Sequence, residues 1–143
     1  MEKLLVSACL LGQNCRYDGG NTYLQSIEKL KGKYELFPVC PEWQGGLTIP
    51  RRPSERHGTL VIMNNGEDVT HQFSVGAEIA LNIAKKNHIT KALLKERSPS
   101  CGSKQIYDGT FSRTLISGSG VTAELLQKNG IQVYNENEIE ELL

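Results

Sequence analysis

Four cysteines, Cys9, Cys15, Cys40 and Cys101, carry most of the reactive chemistry of this 143-residue chain. Their intervals, C-x5-C, C-x24-C and C-x60-C, hold no C-x2-C knuckle and no C-x3-5-H partner, so they do not fit a zinc finger or ribbon. The three histidines, His57, His71 and His88, are scattered, and His71 and His88 flank a helical segment as surface or cap residues. Met1-Glu2-Lys3 is followed only by the apolar run Leu4-Leu5-Val6, too short for a secretory signal or a membrane span, which leads us to expect a cytoplasmic location. In a reducing cytosol the cysteines are expected to be buried thiols, metal ligands or nucleophiles and not two disulfides.

The segments around the cysteines predict how they are positioned. Lys3 to Ser7 is a short apolar run breaking into Ala8-Cys9, the pattern of a buried strand that ends at a loop. Tyr23, Ile27 and Leu30 recur at helical spacing and predict a helix over 22–31 with Asn21 or Thr22 as cap and Gly32 as stop. Tyr34 to Val39 reads as a second strand running into Cys40-Pro41-Glu42, and residues 40–58, with three prolines, as an irregular functional loop. Thr59–Met63 and Glu67–Val69 around Asn64-Asn65-Gly66 predict a peripheral hairpin. His71 to Asn87 is the strongest helix, with Thr70 as its cap. Lys91 to Lys95 forms a third core strand and ends in the Cys-bearing loop 96–102. A helix over 120–129 closed by Gly130, a strand over 131–134 and a C-terminal helix capped by Asn135 or Asn137 complete the chain.

Strands alternating with helices predict a single α/β domain over residues 1–143, a three-layer α/β/α arrangement with a mostly parallel, Rossmann-like sheet. Ligands of such sheets bind beyond the carboxyl ends of the strands, where three strands here each run into a cysteine. Cys9, Cys40 and Cys101 are therefore expected on one rim, and three thiolates so placed suit an iron–sulfur cluster, or a metal with one position open to substrate.

The stretches Val6-Ser7-Ala8-Cys9-Leu10-Leu11-Gly12, Cys15-Arg16-Tyr17-Asp18-Gly19, Val39-Cys40-Pro41-Glu42, Gly45-Gly46-Leu47, Pro50-Arg51-Arg52-Pro53, Ser98-Pro99-Ser100-Cys101-Gly102 and Gly120-Val121-Thr122-Ala123 resemble the thiouracil desulfidase family through nearly the whole chain. The resemblance implies a [4Fe-4S] cluster held by Cys9, Cys40 and Cys101, with the fourth iron free to take sulfur from a thiolated base. It implies non-redox desulfuration to a uracil-like product and sulfide, assisted by a Glu and a Ser that fall on Glu42 and Ser100. A cluster with an open iron is expected to be lost from aerobically prepared protein.

Glu42, two residues from Cys40, suits proton transfer, and Ser100, adjacent to Cys101, suits orienting water or the ring. Cys15 is not a ligand that the resemblance supplies and reads as a structural neighbour of the site. Arg16, Arg51 and Arg52 suit an anion or the polar edge of a substrate, and Ser119-Gly120 before a helix suits an anion or a carbonyl oxygen. Two other functions fit less of the sequence: a thiol enzyme with a low-pKa cysteine, unsupported by any C-x-x-C, and a non-catalytic nucleobase or anion-binding module built on the Gly118–Gly120 helix start.

Composition narrows the partners. Sixteen basic residues balance sixteen acidic ones without a Lys/Arg run, which argues against nucleic acid and against an anionic membrane surface. A small, largely uncharged thiolated heterocycle needs no basic field, and a homodimer is compatible with the sequence. The 14 glycines cluster at Gly19-Gly20, Gly45-Gly46 and Gly118–Gly120, where tight turns or close backbone approach are expected.

Overall fold

In the computed structural model, which describes residues 1–143, the apolar run at the N-terminus forms strand β1, Glu2–Ser7, whose Leu4, Leu5 and Val6 have no exposed surface. It is buried on both faces because it lies inside a parallel sheet of order β2-β1-β5-β8, with β2 over Tyr34–Val39, β5 over Lys91–Leu93 and β8 over Gln132–Tyr134. The register runs from Glu2 opposite Tyr34 to Ser7 opposite Val39, so the β1 and β2 ends, and with them Cys9 and Cys40, emerge on the same rim. Leu5 pairs with Ala92 and Val6 with Leu93, bringing the end of β5 to that rim too.

Alternation along β1 divides the core. Leu4 and Val6 pack with Ile27, Leu30 and Leu142 on one face. Leu5 packs on the other with Ala80 and Ala84 of α3, Thr70–Lys86, and Leu126 of α4, Val121–Lys128. The three-layer α/β/α architecture expected from the strand and helix alternation is present. No helix is long and apolar enough to cross a membrane.

Several elements differ from the sequence-based expectation. The helix over 22–31 shrinks to α1, Ile27–Lys31, because the Asn21 side chain accepts the Tyr23 N–H in an Asx turn and the Tyr23 hydroxyl reaches out to Glu28. The 40–58 loop contains α2, Pro41–Gln44, and β3, Ser54–His57, which pairs antiparallel with β4, Leu60–Met63; the expected hairpin survives in short form, an Ile62–Asp68 bridge flanked by Met63 N–H to Glu67 O and Val69 N–H to Val61 O. Thr70 does not cap α3: its hydroxyl accepts the Val61 N–H, so it ties the helix to β4 instead. A second hairpin, β6, Gln105–Tyr107, with β7, Leu115–Ser117, was not expected. The C-terminal helix is a 3-10 segment, Glu136–Glu141, capped by Asn135 as anticipated and closed by a reciprocal Glu138 contact.

Candidate functional site

Just past β1 the chain makes a 3-10 turn over Ala8–Leu11, closed by Gly12 at φ 90°, which buries Cys9 at the strand end. Residues 22–24 run back along that turn, Thr22 N–H to Cys9 O and Leu24 N–H to Leu10 O, both at 3.0 Å. Cys40 sits at the start of α2, its N–H held by the Gln44 side chain at 3.0 Å, with Pro41 in the first helical position. Cys101 is set by Ser98, whose hydroxyl oxygen accepts the Ser100 and Cys101 N–H groups at 3.1 and 3.0 Å. All four cysteines line one cavity of about 510 Å³, a volume in the usual range for small-ligand sites.

The thiols are not equivalent. Cys15 neighbours both Cys9 and Cys40, its carbonyl accepting the Cys40 thiol at 3.5 Å, and its thiol draws the Cys9 and Cys40 thiols down to about 7 against the opposing effect of burial. The Thr22 hydroxyl, Lys95 and Arg16 assist at Cys9; the Trp43 N–H and Arg51 assist at Cys40. Those same two contacts push the Cys15 thiol far up, so that it keeps its proton. Burial raises Cys101 to about 12, with a Ser7 hydrogen bond working against it. Each of Cys9, Cys40 and Cys101 thus has a polar neighbour that favours its thiolate: Cys15 for the first two and Ser7 for the third. The Thr22 hydroxyl near Cys9 is buried and has no hydrogen-bond partner.

No three His, Cys, Asp or Glu side chains converge tightly enough to hold a single metal ion. A cuboidal iron–sulfur cluster asks for something different, since each thiolate binds its own iron and the sulfurs must stand apart around one shared volume. Three thiols from three strand ends around a common cavity, Cys9 and Cys101 buried and Cys40 half-buried, fit that requirement. No histidine lines the cavity, so the cysteines lack the base that a thiol nucleophile would use.

Glu42 lies in the same wall. Burial raises its carboxyl above the ordinary value, and the Arg51 charge and Ser98 hydroxyl offset only part of that effect. Arg51, its side chain 3% exposed, donates to Glu42 Oε1 at 3.2 Å, to the Thr48 carbonyl at 3.1 Å and to the Cys15 carbonyl at 2.9 Å. One guanidinium therefore joins α2, its own loop and the Cys15 loop, where the sequence offers it to an anion or to the polar edge of a substrate. Replacing Arg51 by Met is expected to destabilise cluster-free protein by about 2–3 kcal/mol, because Glu42 is left inside without its counter-charge. Adding Glu42→Gln should recover more than half of that loss in a denaturation double-mutant cycle, and simple additivity would refute the pairing.

The structure does not bring every expected residue to the cavity. Ser100 has no exposed surface, and its hydroxyl pairs with Thr122 Oγ1 at 2.8 Å behind the wall. Ser98, two residues earlier, lines the cavity and donates to Glu42 Oε2 at 3.4 Å. Ser119 and Gly120 do not line it either. The amides that open α4 are consumed by the neighbouring loop, Val121 N–H to Pro99 O and Thr122 N–H to Ser100 O, so no anion cradle is open there. Arg16 does line the cavity, stacked over Tyr17 and 3.6 Å from Asp18, whose other oxygen accepts the Gly20 N–H. Arg52 reaches away to Asn64.

Known proteins resemble this chain over nearly its whole length. The family described as 2-thiouracil desulfurase matches residues 4–138. The chain is 43% identical to an uncharacterized protein, YbbK, of Bacillus subtilis (strain 168), over 98% of this chain and 99% of that one. It is also similar to a solved structure of the [4Fe-4S]-dependent thiouracil desulfidase TudS, with a TM-score of 0.94 and 46% identity over 99% of this chain and 95% of that one.

Proposed function

The chain belongs to the 2-thiouracil desulfurase family, and from that premise we propose that it is a [4Fe-4S]-dependent desulfidase converting a small thiolated pyrimidine to its oxo form and sulfide. The observation that carries this reading is the meeting of Cys9, Cys40 and Cys101, from three strand ends, around one cavity. These three would hold the cluster. When bound, it supplies an iron with a non-protein position, a Lewis acid with affinity for soft sulfur.

The protein's own residues then account for the protons. The net change is hydrolytic: water oxygen replaces sulfur on the ring carbon, the C=S bond is lost, and sulfide departs with the protons that water gives up. Glu42, whose carboxyl is raised by burial with only a partial offset from Arg51, is the group suited to carry those protons. Ser98 donates to the Oε2 of that carboxylate and orients it. Cys15, which keeps its proton, steadies Cys9 and Cys40 by hydrogen bonds and stays outside the ligand set.

Anaerobic reconstitution with iron and sulfide should give brown protein that releases sulfide from 2-thiouracil; fully loaded protein inert toward every thiolated pyrimidine would overturn the proposal. Three variants divide the roles. Glu42→Gln should keep its iron and lose about 100-fold in turnover, within the usual reach of general acid–base catalysis. Ser98→Ala should lose roughly 10-fold, again from the proton-transfer side, whereas Ser100→Ala should stay within about 2-fold of the parent. The reverse order for the two serines would return the role to Ser100.

A further inference from the structure

The loop over residues 108–114, between β6 and β7, is a part of the cavity wall that the hydrolysis itself leaves unexplained. Phe111 and Arg113 both line the cavity and both adopt left-handed backbone, φ 55° and 61°. Bulky residues avoid that region, where glycine or asparagine would sit without strain. The conformation is imposed by neighbours. Glu55 of β3, itself buried, accepts the Gly109 N–H at 3.0 Å and the Phe111 N–H at 3.1 Å on a single oxygen, Oε1. Gly109 seats the loop so closely on β3 that an added Cβ would lie 2.8 Å from the His57 side chain.

The outcome of this construction is a phenyl ring outside the core. Phe111 belongs to none of the three hydrophobic clusters, is 37% exposed and lines the cavity. A strained backbone holding an apolar ring against an open cavity is unfavourable on both counts for folding alone, and the combination directs attention to a ligand. The ligand surface complementary to an exposed phenyl face is a flat, conjugated ring. We propose that Phe111 is the stacking platform that selects a planar heterocycle for this site, and that Glu55 is the positioning residue that presents it through the Gly109 and Phe111 amides. The inference rests on the desulfidase reading and names the residue that reads the substrate's ring.

The test uses anaerobically loaded protein. Phe111→Gly should raise KM for 2-thiouracil about 10-fold, the scale of one aromatic–base stack, with kcat within about 2-fold. Its iron content and Tm should be unchanged or higher, since glycine relieves the left-handed strain. Phe111→Tyr should restore KM. Glu55→Gln keeps an acceptor oxygen and should behave as the parent, while Glu55→Ala should raise KM as Phe111→Gly does. In a readout independent of turnover, the fluorescence of Phe111→Trp protein should be quenched by 2-thiouracil beyond the quenching of the parent, whose one tryptophan is Trp43. An unchanged KM in Phe111→Gly beside an active parent would overturn the stacking role and leave the desulfidase reading intact. A Tm that falls in Phe111→Gly with KM unmoved would make the ring a packing residue. A loaded parent that releases no sulfide would remove both.

Discussion

Serine in place of Cys9, Cys40 or Cys101 should each reduce reconstituted iron from about four per chain to well below half of that, with sulfide release lost in step. The argument is one of ligand chemistry. A serine hydroxyl at these positions is smaller, harder and rarely deprotonated, so it does not replace a thiolate on iron. The three sites should nevertheless differ in how readily they load. Cys9 and Cys40 are drawn toward the thiolate before iron arrives, whereas Cys101 is held protonated by burial and is the last to give up its proton. Cys15→Ser is the contrasting variant. It keeps a hydroxyl donor between Cys9 and Cys40 and should retain most of its iron. Iron and acid-labile sulfide assays, with visible spectra recorded anaerobically, check all four. Unchanged iron in any one of the three, or loss confined to Cys15→Ser, would redraw the ligand set.

How much of this site the sequence discloses depends on whether backbone or side-chain geometry decides each point. The strands over 2–7 and 34–39 are legible because a run of apolar residues stopping at Ser7 or Val39 has few other readings, and the parallel pairing then fixes where Cys9 and Cys40 emerge. The choice between Ser98 and Ser100 is not legible. Both flank Pro99 in one turn, and only the contact of Ser100 with Thr122 turns one hydroxyl away and leaves the other at Glu42. Arg51 is hidden for a related reason: in a proline-rich loop an arginine reads as solvated until the Cys15 and Thr48 carbonyls are seen to close around it. The β6–β7 hairpin escaped because each strand is only three residues long and the intervening loop is polar, so no period of two develops. Spacing alone extends the helix to 22–31, because Tyr23 falls in phase with Ile27 and Leu30, while the Asn21 side chain commits the chain to a turn.

The glycine surplus leads to the largest expected effect on stability. Gly76 lies on the inner side of α3, where a built Cβ would collide with the Pro41 carbonyl, and Gly45 at the end of α2 would in turn collide with the Gln72 carbonyl of α3. The two backbones touch because neither carries a side chain at the crossing. α2 is also the element that begins at Cys40 and carries Glu42, so the approach of α2 to α3 sets the position of one thiol and of the proton carrier. Gly76→Ala should destabilise the protein by roughly 4 kcal/mol, above the ordinary range for overpacking because rigid backbone, not a side chain, must move. At about 3 °C per kcal/mol for a chain of this length, Tm should drop by about 12 °C. Any fraction that folds must displace α2 outward, so it should also load less iron, through Cys40, than its folded population allows. Gly32→Ala provides the comparison: Gly32 has φ −78° and an added Cβ would meet only the Lys29 carbonyl oxygen, at an ordinary 3.8 Å, so alanine there should change stability by less than about 0.5 kcal/mol. Thermal unfolding of both variants, with iron counted per folded chain, separates a close approach from a general intolerance of alanine. A Gly76→Ala protein with parental Tm and parental iron would mean that the α2–α3 contact does not position the site.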